Sequence, residues 1–411
     1  MPAERPTPGA PDARRIPDGL GDFAFDRALV CGIGLIGGSV ARALRRMHRD
    51  GRAGGAGVIV AADPHAAGLA RALALGVIDE ACASAPASAC ADAATDAAFA
   101  RAVARADLII LAAPVAQTRE LLARIAPALR ADAVLTDVGS TKGQICEAAR
   151  AVLGARRGRF VAAHPIAGGD ASGVDAGDAA LFDGRDVILC PAPDTDPDAV
   201  ARVATMWRLA GARTACMTPG RHDRLFAGVS HLPHLLAFAF IEHILQAEGA
   251  DERLAFAGPG FRDFTRIAAS SPRMWRDICL ANRDAVLADL DGYLAVLGDV
   301  RATLVDGKGD VLEALFSRSR AARGEWRMGG TCAAGSGVAD TATEAATEAA
   351  TEAATEAATE AADAPANATA DAGASAAKPA VEQTVKPSGN RYDTAVGDPS
   401  PAGQPMKKRN I

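Results

Sequence analysis

Directly after the apolar run Ala28-Leu29-Val30-Cys31, the chain reads Gly32-Ile33-Gly34-Leu35-Ile36-Gly37 and continues as Ser39-Val40-Ala41-Arg42-Ala43-Leu44. A strand, a glycine turn and a helix opening, in that order, form the cradle in which a parallel sheet holds a dinucleotide. Gly32 lets the chain turn sharply, Gly34 removes a side chain where a pyrophosphate must approach the backbone, and Gly37 lets the helix lie close on the strand. Leu35 and Ile36 stand at the helix start, where free N–H groups and the positive dipole end face phosphates. A second apolar run, Val58-Ile59-Val60-Ala61-Ala62, ends in Asp63. A carboxylate there accepts both ribose hydroxyls and repels a 2′-phosphate, so the expected coenzyme is NAD rather than NADP. The alternative use of Asp63 is to cap the helix that Pro64 opens.

The 411 residues suffice for two domains, but composition shifts near Gly329. From Thr343 a Thr-Glu-Ala-Ala repeat sets each Glu four residues from the next, and the rest of the tail has almost no large apolar residue. Residues 329–411 are therefore expected to be disordered, as is the Pro- and Arg-rich segment 1–24. That first segment lacks the apolar core of a signal peptide, and no uninterrupted apolar stretch suits a membrane span. The eight cysteines form no C-x-x-C pair and read as reduced core residues. A cytoplasmic protein is expected. A net charge of -6 without a dense basic stripe argues against nucleic acid.

Short apolar strands at 108–112, 133–136, 160–163 and 187–190 alternate with helical segments, which predicts a mostly parallel sheet over 25–193. Strand signals stop from Asp196, and residues 194–328 read as all-helical, with stretches at 199–210, 221–248, 261–268, 274–297 and 300–323. The fold class is thus α/β, a Rossmann-type sheet domain followed by a helical domain. Segments such as Leu235-Leu236-Ala237-Phe238-Ala239-Phe240-Ile241 are apolar on more than one face, which suggests burial against a second copy of the chain.

Several polar residues fall where a ligand would lie. The strand ending at Thr136 runs into Asp137-Val138-Gly139-Ser140-Thr141-Lys142, which sets Ser140 at the carboxyl edge, either beside a ligand or as a helix N-cap. The next strand ends in His164-Pro165-Ile166-Ala167-Gly168-Gly169-Asp170, and a histidine before a glycine-rich loop at that edge suits proton chemistry. His222, Asp223, His231 and His234 interrupt an otherwise apolar helix, and burying them without purpose would be costly. No third ligand accompanies His231 and His234, so no metal is expected. Arg266, within Asp263-Phe264-Thr265-Arg266-Ile267, suits a carboxylate, and Trp275 either lines a pocket or packs.

Taken in order, Gly32-Ile33-Gly34-Leu35-Ile36-Gly37-Gly38-Ser39, Asp137-Val138-Gly139-Ser140-Thr141-Lys142, His164-Pro165-Ile166-Ala167-Gly168, Ser230-His231-Leu232-Pro233-His234 and Asp263-Phe264-Thr265-Arg266-Ile267-Ala268 resemble the prephenate and arogenate dehydrogenases of tyrosine biosynthesis. The resemblance covers roughly residues 27–327 and implies NAD-dependent oxidative decarboxylation of a cyclohexadienyl ring by a homodimer. It makes His164 the acceptor for the ring hydroxyl, Ser140 its partner in holding that hydroxyl, and Arg266 the binder of a substrate carboxylate. His234 would contact the substrate side chain, His222 and Asp223 would form a polar network around the pocket, and Trp275 would reach in from the neighbouring subunit. Many relatives carry Thr and Glu where this chain has Gly169 and Asp170. The acid at Asp170 suits the amine of arogenate, so a cyclohexadienyl dehydrogenase accepting both substrates is expected.

No mutase-like helices precede the coenzyme domain, so a monofunctional chain is expected. β-Hydroxyacid dehydrogenases share the overall plan but use a helical-domain lysine, and this chain has none between Lys142 and Lys308. A non-catalytic NAD-sensing protein that uses the tail for partners is the remaining alternative; it would bind coenzyme without turnover.

Overall fold

A computed structural model of the protein describes residues 23–83, 93–169 and 171–326. The expectations for the tail, for Asp170 and for nearly all of the N-terminal segment lie outside these residues. The first half alternates β1 (Phe25–Cys31), α1 (Leu35–Arg49), β2 (Ala56–Asp63), α2 (Ala66–Ala74), β3 (Glu80–Ala83), α3 (Ala93–Arg105), β4 (Leu108–Leu111), α4 (Thr118–Ile125), β5 (Val134–Asp137), α5 (Gly143–Val152) and β6 (Phe160–Val161). Its six strands are parallel in the order β3-β2-β1-β4-β5-β6. The order reverses beside β1, which opens a crevice at the carboxyl ends of β1 and β4. Leu29, Val30, Ile109, Ile110 and Leu135 are all fully buried. Helices cover both faces, which is why these strands read as unbroken apolar runs.

Three more strands, β7 (Ala163–Pro165), β8 (Asp186–Leu189) and β9 (Arg213–Cys216), form a second sheet, with α6 (Pro197–Leu209) between β8 and β9. The stretch expected as one strand over 160–163 therefore divides at Ala162, and β7 runs antiparallel to β8 with His164 opposite Ile188. Side chains take over where the ladder stops: Thr136 Oγ1 donates to the Val161 carbonyl at 2.7 Å, and Asp137 Oδ1 accepts from the Ala163 N–H at 3.0 Å.

Two sequence expectations need correction here. β3 and β9 are strands that the reading missed, each only four residues long. The boundary expected at 193/194 also falls too early, because α6 packs into the sheet core through Val203, Ala204, Met206 and Trp207, and β9 pairs with β8.

The helical half follows as α7 (Pro219–Phe226), a π-helical turn (Ala227–His231), α8 (Leu232–Leu245), α9 (Ala250–Ala255), α10 (Pro259–Thr265), α11 (Pro272–Ala281), α12 (Arg283–Val305) and α13 (Gly309–Glu325). The break expected between 297 and 300 lies instead at Asn282, whose backbone leaves helical geometry, and again after Val305, where Gly307 adopts a left-handed φ of 66°. Pro219–Leu245 forms one run of 27 residues that is long and apolar enough by composition to cross a membrane. The core helix of a soluble protein fits the same description, and this run carries His222, Asp223, His231 and His234.

Candidate active site

The glycine turn has the shape its sequence implies. Gly32 has φ 101°, and a Cβ there would lie 2.6 Å from the Ala112 carbonyl oxygen; a Cβ at Gly37 would lie 2.0 Å from the Gly32 oxygen. Both positions are closed to side chains by the chain's own packing. Around Gly34 there is open space to 4 Å beside the first residues of α1, which fits a pyrophosphate on the helix N-terminus. Asp63 closes the carboxyl end of β2, its Oδ2 accepting from Ile33 N at 3.0 Å and its Oδ1 from His65 N at 2.8 Å. It thus braces the glycine turn and the entry to α2 together. A Cβ at Gly169 would reach the Leu35 side chain at 3.8 Å, which brings the loop after His164 over the glycine turn.

His164, on β7, is buried, and its Nδ1 lies 2.8 Å from His222 Nε2. His222 Nδ1 in turn lies 2.8 Å from Asp223 Oδ1. The carboxylate only accepts, so His222 donates from Nδ1 and keeps a lone pair on Nε2; His164 must then donate from Nδ1. This order leaves His164 Nε2 as a lone-pair acceptor. Burial pushes the His164 pKa well below its ordinary value, and the cationic forms of His222, Lys142 and His231 push the same way. Burial also lowers His222, against the pull of Asp223. For Asp223, burial raises the pKa, but His222 and the backbone N–H groups of Lys142 and Gly143 outweigh it and hold the carboxyl below its usual range. Those two amides, at 2.8 and 2.7 Å, are the first of α5. Asp223 from the helical half therefore caps a helix of the sheet half, and Ser140 does not fill that role.

The remaining residues gather around this axis. Asn282 donates to the Asp223 backbone carbonyl at 2.7 Å and faces His231 Nδ1 at 3.0 Å. Burial takes His231 down to about 4, while the backbone of Ser140 favours its protonated ring. His234 donates from Nδ1 to the Ser230 carbonyl at 2.8 Å and stacks on Trp275 with ring centroids 3.6 Å apart. Burial lowers His234 as well, opposed by the Ser230 carbonyl and assisted by the Arg266 charge, which lies within electrostatic reach on the turn after α10.

Ser140, His164, His222, Asp223, His234, Arg266 and Trp275 thus belong to one connected neighbourhood. His222 is fully buried behind His164, and Asp223 follows it in the chain of bonds, so the two form a polar network behind His164. Trp275 lies against His234 of its own chain and is only 8% exposed.

Sequence reasoning missed Lys142, which is completely buried, and Asn282. Lys142 Nζ pairs with Asp137 and donates to the Ala163 carbonyl at 2.8 Å, so together with Asp137 it clamps the residue before His164. The signal available was a lysine three residues after a strand-end Asp-x-Gly. Among the described residues no group of three or more His, Cys, Asp or Glu converges as metal ligands would.

Comparison with known proteins agrees with this geometry. Residues 40–216 match the family model for the prephenate dehydrogenase nucleotide-binding domain, and residues 218–318 match that for its dimerization domain. The prephenate dehydrogenase of Bacillus subtilis is 36% identical over 264 residues, covering 64% of this chain and 66% of the relative, just under two thirds of its length. The cyclohexadienyl dehydrogenase of Zymomonas mobilis is 36% identical over 220 residues, covering 53% of this chain and 74% of the relative. Among solved structures, prephenate dehydrogenase from A. aeolicus in complex with hydroxyphenyl propionate and NAD+ superposes with a TM-score of 0.66 at 32% identity, covering 74% of this chain and 99% of that one. Because the two family models together match most of residues 40–318, in that order, the chain belongs to the prephenate dehydrogenase family.

Proposed function

We propose that this chain catalyses the NAD-dependent oxidative decarboxylation of prephenate to 4-hydroxyphenylpyruvate, a step in tyrosine biosynthesis. The carrying observation is the acceptor nitrogen of His164, kept neutral by burial and held in one tautomer by His222 and Asp223. NAD, when bound at the glycine turn, supplies the hydride acceptor. His164 Nε2 takes a hydrogen bond from the ring hydroxyl and draws on its proton as the C4 carbon is oxidised. The positive charge that develops on the imidazole is offset through His222 by the Asp223 carboxylate. Ser140 holds the hydroxyl in line with His164, and Arg266 receives a substrate carboxylate through its planar fork. Loss of the ring carboxylate as carbon dioxide leaves an aromatic phenol, which drives the step forward.

The side chain of arogenate is accepted too. His234 spends its Nδ1 hydrogen on Ser230, so its Nε2 is an acceptor, which suits an ammonium donor better than a keto oxygen. By charge alone, the acid at Asp170 suits the same amine. The working unit is a homodimer formed through the helical half, where Leu294, Leu304, Val305 and Phe316 are each more than half exposed in the single chain. The free thiols Cys31, Cys82 and Cys190 suit the reducing cytoplasm.

The test is NADH formation by the purified chain with prephenate and with arogenate, each also with NADP in place of NAD. Turnover of prephenate with NAD is expected, with measurable arogenate use. NAD binding without turnover of either substrate would leave the non-catalytic reading standing.

A further inference from the structure

At the joint between α11 and α12, Asn282 is only 6% exposed. Its amide nitrogen serves two acceptors at once, the Asp223 carbonyl at 2.7 Å and His231 Nδ1 at 3.0 Å. A carboxamide NH2 has two hydrogens, and both are spent here. His231 is therefore a lone-pair acceptor at Nδ1 and carries its hydrogen on Nε2. That nitrogen is fully buried and lacks a hydrogen bond of normal geometry. With Nδ1 engaged by Asn282, the favourable interaction between His231 and the Ser140 backbone falls to Nε2.

We propose that Asn282 is a positioning residue for the reaction: its amide fixes His231 with a hydrogen on Nε2, directed at the Ser140 loop, and at the same time anchors the Asp223 end of the chain of bonds that reaches His164. One amide thereby keeps Ser140 and His164 in register from behind, without touching substrate. The groups that face His231 are Asp223 and His222 from α7, His234 from α8 and the Ser140 backbone. Only Asp223 carries a full charge near neutral pH, and its side chain is committed to His222 and the start of α5.

This inference rests on the proposed dehydrogenase activity, and the experiment separates the two. Asn282→Leu keeps the volume and removes both donors; Asn282→Asp replaces donors with acceptors and draws the His231 hydrogen onto Nδ1. Steady-state rates with prephenate and NAD are followed from acid to alkaline pH. For Asn282→Leu, kcat is expected to fall roughly ten- to a hundredfold, the cost of slight misplacement, with KM for NAD unchanged. For Asn282→Asp, loss at neutral pH is expected to be at least as large, with partial recovery toward acid pH as His231 takes a second proton and regains its Nε2 hydrogen. A packing role alone would lower thermal stability and leave kcat and the pH optimum in place, and that result would overturn the proposal. Should both variants fail to fold, nitrogen NMR of the wild-type histidines decides the matter: an Nδ1-protonated His231 overturns it. A wild-type enzyme that fails to oxidise prephenate sinks the functional reading instead, and the NMR tautomer is independent of that outcome.

Discussion

The sheet half and the helical half solve the burial problem differently. In the sheet half, strands such as Leu108–Leu111 are covered on both faces within one chain, and among the described residues Leu73 is its only large apolar residue that is notably exposed. In the helical half, exposed large apolar residues run from Leu225 to Trp326, with Val229, Phe256 and Val305 at 73%, 83% and 71%. Burying one such side chain yields about 1.5–3 kcal/mol, so this surface represents a large unspent driving force. The lesson is that the sheet half is a finished core, whereas the helical half leaves apolar surface uncovered in the single chain and carries a polar site at its inner end.

The strongest challenge to this contrast is at the place where the halves meet. His164→Asn is expected to lower kcat by roughly a thousandfold or more while NAD binding, measured by fluorescence titration, stays within twofold. His222→Asn, a change in the other half, should reproduce most of that loss; if it did not, the two halves would not share one proton-accepting unit. Next in size, Arg266→Lys should cost roughly ten- to a hundredfold in kcat/KM for prephenate through KM, since an ammonium cannot reproduce two parallel bonds to a carboxylate. An unchanged KM would remove Arg266 from substrate binding.

Assembly offers a direct contrast. Leu304→Glu with Val305→Glu should convert the dimer to monomer in sedimentation velocity, whereas Leu73→Glu should leave it intact. Dissociation by the Leu73 change would reverse the assignment of the interface.

The smallest effect concerns pH. An unfolded histidine protonates near 6.5, while folded His231 resists until about 4 and His164, His222 and His234 are lowered too. Below pH about 6.5 the unfolded chain thus binds more protons than the folded one, and stability falls as pH drops toward the lowered folded values. Lowered Asp223 adds a later loss, as pH drops through the carboxylate range. Melting temperature should therefore decline from pH 7 to pH 5, and His231→Gln should flatten the slope.

Periodicity carried most of the sheet half, because β1, β2, β4 and β5 are buried on both faces and leave unbroken apolar runs. β3 and β9 escaped because four residues with mixed exposure leave no such run. The split between β6 and β7 escaped because the side chains of Thr136 and Asp137, distant in sequence, replace the missing ladder bonds. At the candidate site, the placement of His164 and Ser140 just beyond the ends of β6 and β5 could be read from the sequence. Lys142 and Asn282 could not, since the Ala163 and Asp223 carbonyls they hold lie 21 and 59 residues away and their burial shows only in three dimensions. The placement of His222 behind His164 needed the same three-dimensional information.

The attachment of Asp223 to the first amides of α5 has a consequence for motion. A hinge that swung the halves apart would pull Asp223 off the first amides of α5 and His222 off His164, and so idle the base. Ligand traffic must therefore use loop displacement at the mouth, such as the Gly168-Gly169 segment over Leu35, while the frame behind it stays shut.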